Sequence, residues 1–124
     1  MKNKSYISEL HDELMRRIPE YVSIDEAARM AHVSKSKLKA DFLKAYKMSF
    51  YSYFRMERMK YAAKILVETD EKIIDIAEIA GYDNSSKFSK AFRDVMDCTP
   101  SEYRRNNAGI FAEIKRRKLK DKDK

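Results

Sequence analysis

The chain has 124 residues, enough for one domain or for two very small ones that share an element, and a net charge of +7 that by itself does not establish a nucleic-acid partner. Hydrophobic residues make up 44%, which supports a core, while two Gly, two Pro and the absence of hairpin turn signals leave strands without turn chemistry, so the chain reads as all-α. The lone Cys98 excludes an internal disulfide and a cysteine metal cluster and fits a reducing cytosol, no apolar run approaches ~18 residues, and the polar start MKNKSYISELHDEL does not read as a secretory leader.

Ile7, Leu10, Leu14, Met15 and Ile18 recur at helical spacing and predict a first helix over 5–18, capped by Ser5 and closed by Pro19. A second helix, about 24–31, follows Ser23, which forms a capping box with Glu26; His32-Val33 makes the turn, because His tolerates left-handed backbone better than most residues. Ser34 caps a third helix, about 35–46, with Leu38, Phe42 and Ala45 expected inward and Ser36, Lys39, Ala40 and Leu43 outward. Here Lys35, Lys37, Lys39, Lys44 and Lys47 stand against the single acid Asp41, which is the footprint of a phosphate-binding surface or, equally, a solvated helix face.

Ser49 caps a long helix, about 49–68, with Phe50, Phe54, Arg58, Ala62, Ile65 and Leu66 on its inward side. At ~1.5 Å per residue it spans about 30 Å, close to the ~34 Å rise of one DNA turn. Asp70 begins a fifth helix, about 71–80, with Ile73, Ile76, Ala77 and Ile79 inward and Gly81 as its stop. Asp83 caps a sixth, about 84–96, in which Phe88, Ala91, Phe92 and Val95 must be core, leaving Ser85, Ser86, Ser89, Lys90 and Arg93 facing out. Thr99 and Pro100 start a seventh, and Tyr103 packs back onto this second unit. Residues 105–124 hold eight Lys/Arg against three Asp/Glu, which is +5 and leaves +2 for the rest; they are expected to hold a short amphipathic helix (Ile110, Phe111, Ile114) and a disordered charged tail.

The chain contains a repeat. Residues 23–32 (SIDEAARMAH) lie over 72–81 (KIIDIAEIAG) at an offset of 49, with Ile24 on Ile73, Ala28 on Ala77 and Ala31 on Ala80. After the turn the offset is 50, with Leu38 on Phe88 and Phe42 on Phe92. The organisation is therefore a helix-turn-helix unit over 1–48, a linker helix over 49–68, a second unit over 69–105 and a basic extension over 106–124. Two such units suggest the reading of two successive major grooves of DNA.

A helix in the major groove needs short polar residues near its N-terminus and longer cationic ones a turn later. The sixth helix has that layout, with Ser85 and Ser86 first, then Lys87, Ser89, Lys90 and Arg93; the bland alternative is a set of caps and solubilising lysines. The third helix offers Ser36, Lys37, Lys39 and Ala40, with Lys44 further on. Ala40 can read only a thymine methyl, and Lys39 gives charge more than bidentate geometry, so this head is expected to add affinity more than discrimination. His11 and His32 lie in different elements without a third ligand, and Asp12-Glu13, Asp25-Glu26 and Asp70-Glu71 suit helix dipoles better than acid/base chemistry. With no Gly-rich phosphate loop, nucleophile elbow or HExxH, neither catalysis nor a cofactor nor a metal is expected.

From Ser23 to Arg104 the chain resembles the DNA-binding domain of AraC/XylS-type bacterial transcription regulators. The matching residues are Leu66, Thr69-Asp70, Ile73, Ile76-Ala77, Gly81-Tyr82, Ser86, Phe88, Phe92, Thr99-Pro100 and Tyr103-Arg104, and in the N-terminal half Ala28, Val33-Ser34, Ser36, Leu38, Phe42, Lys44, Ser49, Tyr53, Arg58 and Ala62. The resemblance implies seven helices, two helix-turn-helix units and a rigid linker, double-stranded DNA as partner, and promoter binding that recruits RNA polymerase, as an activator rather than a repressor, in the cytoplasm at the nucleoid. It implies a monomer if the chain stands alone in the MarA/SoxS-like manner; the alternative is an excised part of a larger regulator. By position it makes Ser36, Lys39 and Ala40, and Ser85, Ser86, Lys87, Ser89 and Lys90, the base-reading candidates. The family often has Arg where this chain has Ala40 and Lys90, and Gly where it has Lys47 and Asp97, so the helix ends at the last two are expected to close differently. The rival readings are a non-specific DNA-binding protein working through its tail and a helical protein-interaction module.

Overall fold

A computed structural model describes residues 5–122. Among the described residues it forms eight helices and no strand: α1 Tyr6–Arg17, α2 Ile24–Ala31, α3 Lys35–Tyr46, α4 Phe50–Glu68, α5 Ile73–Ile79, α6 Ser85–Met96, α7 Pro100–Asn106 and α8 Ala108–Lys122. The chain divides into two compact units, residues 1–58 and 59–124.

In the first unit the core is Ile7, Leu10 and Leu14 of α1, Ala27 and Ala28 of α2, Leu38 and Phe42 of α3, and Phe50 and Phe54 of α4. Phe42 is fully buried and sits among aromatic rings at favourable tilted and edge geometries: Tyr46 at 4.7 Å, Phe50 and Tyr53 at 5.4 Å, and Phe54 at 5.5 Å. His11 belongs to this core edge. It stacks on Tyr46 at 4.6 Å, and its Nε2 lies 2.7 Å from the Tyr53 hydroxyl. In the second unit Met59, Ala62, Ala63 and Leu66 of α4 pack with Ile76, Ala77 and Ala80 and with Phe88, Ala91 and Phe92 of α6. Tyr103 meets Phe92 edge-on at 5.6 Å, as expected.

Side-chain oxygens satisfy the free N–H groups at most helix starts. Ser5, Ser23, Ser34, Ser49 and Thr99 accept from the backbone three residues on, as the sequence predicts. At α2 only the serine half of the expected box is made, whereas at α7 the box is complete, with Glu102 accepting in return from Thr99 N–H at 2.9 Å.

Several expectations are corrected. α5 begins at Ile73 rather than near Asp70, because Thr69 folds its hydroxyl back to Ile65 O at 2.8 Å and accepts from Glu71 N–H, which holds residues 70–72 outside the helix. The cap of α6 is Asn84, not Asp83; its Oδ1 accepts from Lys87 N–H at 2.9 Å. Ile79 is exposed and Ala80 is buried, since a helix with Ile76 and Ala77 inward brings position 80 inward next. Ala45 is exposed because Tyr46, a full turn after Phe42, takes the inward place. On α4, Met59 and Ala63 are core and Ile65 is only half-buried. Residues 108–122 form one helix where a disordered tail is expected; Ala, Glu, Lys, Arg and Leu favour helix, and Glu113 pairs with both Arg116 and Arg117. Ile110 is exposed on it, and the side chain of Phe111 lies outside the described part.

Arg104 closes the end of α4. Its Nε donates to Leu66 O at 3.0 Å and its Nη2 to Thr69 O at 3.2 Å, so a cation satisfies carbonyls that the helix leaves without partners. Arg104→Ala should lower unfolding stability by about 1.5–3 kcal/mol in urea denaturation, and Arg104→Lys should restore only part of it, because one ammonium cannot copy the planar fork.

Candidate nucleic-acid interface

Each unit builds an exposed helix face on the same framework of parts. α2 ends at His32 in the left-handed conformation (φ 57), and α5 is followed by Gly81 at φ 91. Both turns are tied by a backbone bond back across the helix end, Val33 N–H to Ala28 O at 3.1 Å and Tyr82 N–H to Ala77 O at 2.9 Å. The next helix is capped by Ser34 in one unit and Asn84 in the other. It is anchored by Leu38 and Phe42, or by Phe88 and Phe92, all four fully buried. It is then closed by a second left-handed residue, Lys47 at φ 62 or Asp97 at φ 66. The expected different closure at these two positions is thus the ordinary left-handed one, carried without Gly; the Lys47 ammonium donates to Lys44 O at 2.9 Å and supplies a partner for a terminal carbonyl.

Anchoring one side of each helix fixes what the other presents. On α3 Ser36, Lys37, Lys39, Ala40, Leu43 and Lys44 are all exposed. On α6 Ser86, Lys87, Lys90 and Arg93 are exposed, while Ser85 and Ser89, expected outward, are half-buried. Each of those two serines stands three residues before a core phenylalanine, at the border of the buried face.

The cations are not equivalent. Lys37 Nζ lies 3.0 Å from Asp41 and 5.6 Å from the centre of the Tyr6 ring, so it leans away from the Ser36–Lys39–Ala40 stripe. Lys35 meets Asp25 at 3.3 Å and Lys87 meets Asp83 at 3.9 Å. Among the described residues Lys39 and Lys90 make no ion pair, and their charge is fully available to a polyanion. Lys39 and Leu43 also border an apolar groove of about 410 Å³, shared with Tyr21, Phe50, Tyr51 and Phe54.

Leu43, expected on the outward stripe, is 53% exposed beside Ala40. One feature escapes the sequence: the tie between α1 and α3, where the Tyr6 hydroxyl donates to Asp41. The Lys37–Asp41 spacing was readable, but nothing local points to Tyr6, which is 35 residues away. Among the described residues no group of His, Cys, Asp and Glu is arranged to hold a metal, and His11 is used in packing.

The tie has a pH signature. The Tyr6 hydrogen bond, then that of Lys37, holds the Asp41 carboxyl below its usual range. Burial, then the bond and charge of Asp41, pushes the Tyr6 hydroxyl up to about 12 from 10.0. Asp41 therefore contributes stability above its ordinary value of 3.8 and loses it as pH falls through its lowered pKa. Tyr6 contributes below 10.0 and loses it as pH rises through about 12. The melting-temperature difference between the parent and Tyr6→Phe should be largest between about pH 5 and 9 and narrow on both sides. A difference independent of pH would contradict the tie.

A family model described as a helix-turn-helix domain matches residues 27–106. The regulatory protein SoxS of Salmonella typhimurium is 33% identical over 104 residues, covering 84% of this chain and 97% of SoxS. The HTH-type transcriptional regulator YtdP of Bacillus subtilis is 36% identical over 89 residues, covering 72% of this chain but only 12% of YtdP, so the chain corresponds to a small part of that longer protein. Among solved structures, the C-terminal domain of AraT, a response regulator from Geobacillus stearothermophilus, superimposes with a TM-score of 0.79 at 26% identity, covering 86% of this chain and 88% of that one. With two duplicated helix-turn-helix units and these likenesses, the chain belongs to the AraC/XylS family of helix-turn-helix transcription regulators.

Proposed function

We propose that the chain binds double-stranded DNA sequence-specifically and regulates transcription in the cytoplasm, with α3 and α6 entering two successive major grooves. One observation carries this reading. A helix held by buried core residues, ended by a left-handed residue and presenting an exposed stripe with a serine and a lysine unpaired among the described residues, occurs twice in 124 residues. Folding alone has no use for two such surfaces. In this reading Ser36, Lys39 and Ala40 on α3, and Ser86 and Lys90 on α6, reach base edges, with the half-buried Ser85 and Ser89 at the margin. Lys44 binds phosphate, Arg93 joins Lys90 at base edges, and Lys37 and Lys87 exchange their carboxylate partners for phosphate on docking. The basic extension adds non-specific attraction. RNA polymerase is the proposed protein partner and activation the proposed outcome, as the family resemblance implies.

The reading is tested with a duplex enriched from a random pool and a scrambled duplex of the same composition, each titrated over a salt series. The enriched duplex should bind more tightly at every salt concentration. Equal affinities would support a non-specific DNA-binding protein, and no binding to either would support a protein-interaction module. Lys90→Ala should cost about 1–3 kcal/mol on the enriched duplex and far less on the scrambled one, since a base contact carries discrimination and a phosphate contact does not.

The coupling between heads has its own test. α4 contributes Phe50 and Phe54 to one core and Met59, Ala62, Ala63 and Leu66 to the other. A proline at exposed Lys60 breaks the helix at a local cost of ~3 kcal/mol or more. Lys60→Pro should reduce affinity for a two-site duplex much more than it reduces helix content by circular dichroism, because linked binding needs both heads in register. Equal affinity for the parent and the variant would contradict the coupling.

A further inference from the structure

Ala40 and Leu43 stand three residues apart on the outward stripe of α3, both exposed. At the repeat offset of 50 the same two places on α6 carry Lys90 and Arg93, also exposed. The duplicated scaffold therefore presents an apolar pair in one head and a cationic pair in the other. Neither Ala40 nor Leu43 can exchange a hydrogen bond with a base. In the major groove the base feature that rewards an apolar side chain is the C5-methyl of thymine. The polar edges of guanine, adenine and cytosine would lose water against Leu43 without a new partner, which penalises them.

We infer that the two heads read DNA by different chemistry: α3 selects thymine through methyl contact with Ala40 and Leu43, and α6 selects guanine through donors from Lys90 and Arg93. The inference rests on the DNA-reading function proposed above and specifies its target. It makes the first head a discriminating reader, against the expectation that it adds affinity more than discrimination. Ser36 and Lys39 flank the apolar pair and supply the contacts to polar edges and phosphates. The preferred site is then asymmetric, with thymines in one half and guanine in the other, so it fixes the orientation of the chain on its DNA.

The test uses the full chain and the enriched duplex, with deoxyuridine replacing each thymine in turn. Uracil keeps pairing and the O4 acceptor and removes only the methyl. Loss of one buried methyl contact, ~0.8 kcal/mol, should weaken binding about fourfold. That sensitivity should cluster in one half-site. Leu43→Ala, a substitution at an exposed position, should abolish it at one thymine. In the other half, 7-deazaguanine, which lacks the N7 acceptor, should weaken binding of the parent and of Leu43→Ala alike. Two outcomes would overturn the inference while leaving DNA reading intact: tight binding indifferent to uracil in both halves, which would assign Leu43 to the groove beside it, or uracil sensitivity unchanged in Leu43→Ala. Failure of any duplex to be enriched would overturn the DNA-reading function itself, and the inference with it.

Discussion

The outward face of α3 and that of α6 each hang on one buried phenylalanine and the tyrosine that meets it edge-on. Phe42 meets Tyr53 at 5.4 Å and 74°, and Phe92 meets Tyr103 at 5.6 Å and 78°. Both phenylalanines are fully buried. Burial of such a ring is worth about 1.5–3 kcal/mol, and the edge-to-face geometry adds about 0.5–1.5. The ring fixes the rotation of its helix about the helix axis, and rotation decides which residues face outward. Ser36, Lys39, Ala40 and Leu43 are exposed because Leu38 and Phe42 are not. The chemistry of the outward face is thus a consequence of core packing on the opposite side, and it can vary without touching the fold.

That separation accounts for the contrast between the two heads. Their frames agree in caps, left-handed closures and ring pairs, while the outward positions differ in kind, with Ala40 and Leu43 in one and Lys90 and Arg93 in the other. In the proposed reading of DNA, a shared frame with independent faces lets one fold address two unlike half-sites. The charge follows the same division: exposed Lys39 and Lys90 are unpaired among the described residues, whereas Lys37 is drawn into the Tyr6–Asp41 tie that joins α1 to α3.

The elements visible in the sequence were those written in local signals. Ser23, Ser34, Ser49 and Thr99 marked helix starts, and Phe88, Ala91 and Phe92 marked a buried stripe by spacing alone. His32 is readable as a left-handed residue because His tolerates that backbone better than most residues. The signals that failed were ambiguous or distant. Asp70 and Asp83 are both plausible caps, but Thr69 holds residues 70–72 in a turn outside α5, which starts without a side-chain cap, and Asn84 sits where the free N–H groups of α6 fall. Ile79 looks like core by composition, yet the register set by Ile76 and Ala77 leaves it exposed. The Tyr6–Asp41 bond and the Arg104 closure span 35 and 38 residues and carry no periodicity to betray them. At the candidate site the stripe was legible as a pattern, but the lean of Lys37 and the half-burial of Ser85 and Ser89 depend on neighbours that only the fold supplies.

The central claim is that both heads engage DNA at once. Hydroxyl-radical footprinting of the parent chain on its enriched duplex tests it directly. The account predicts two protected windows on the duplex, their centres about 10 base pairs apart, the spacing of successive major grooves. A single protected window, or uniform protection along the duplex, would contradict it.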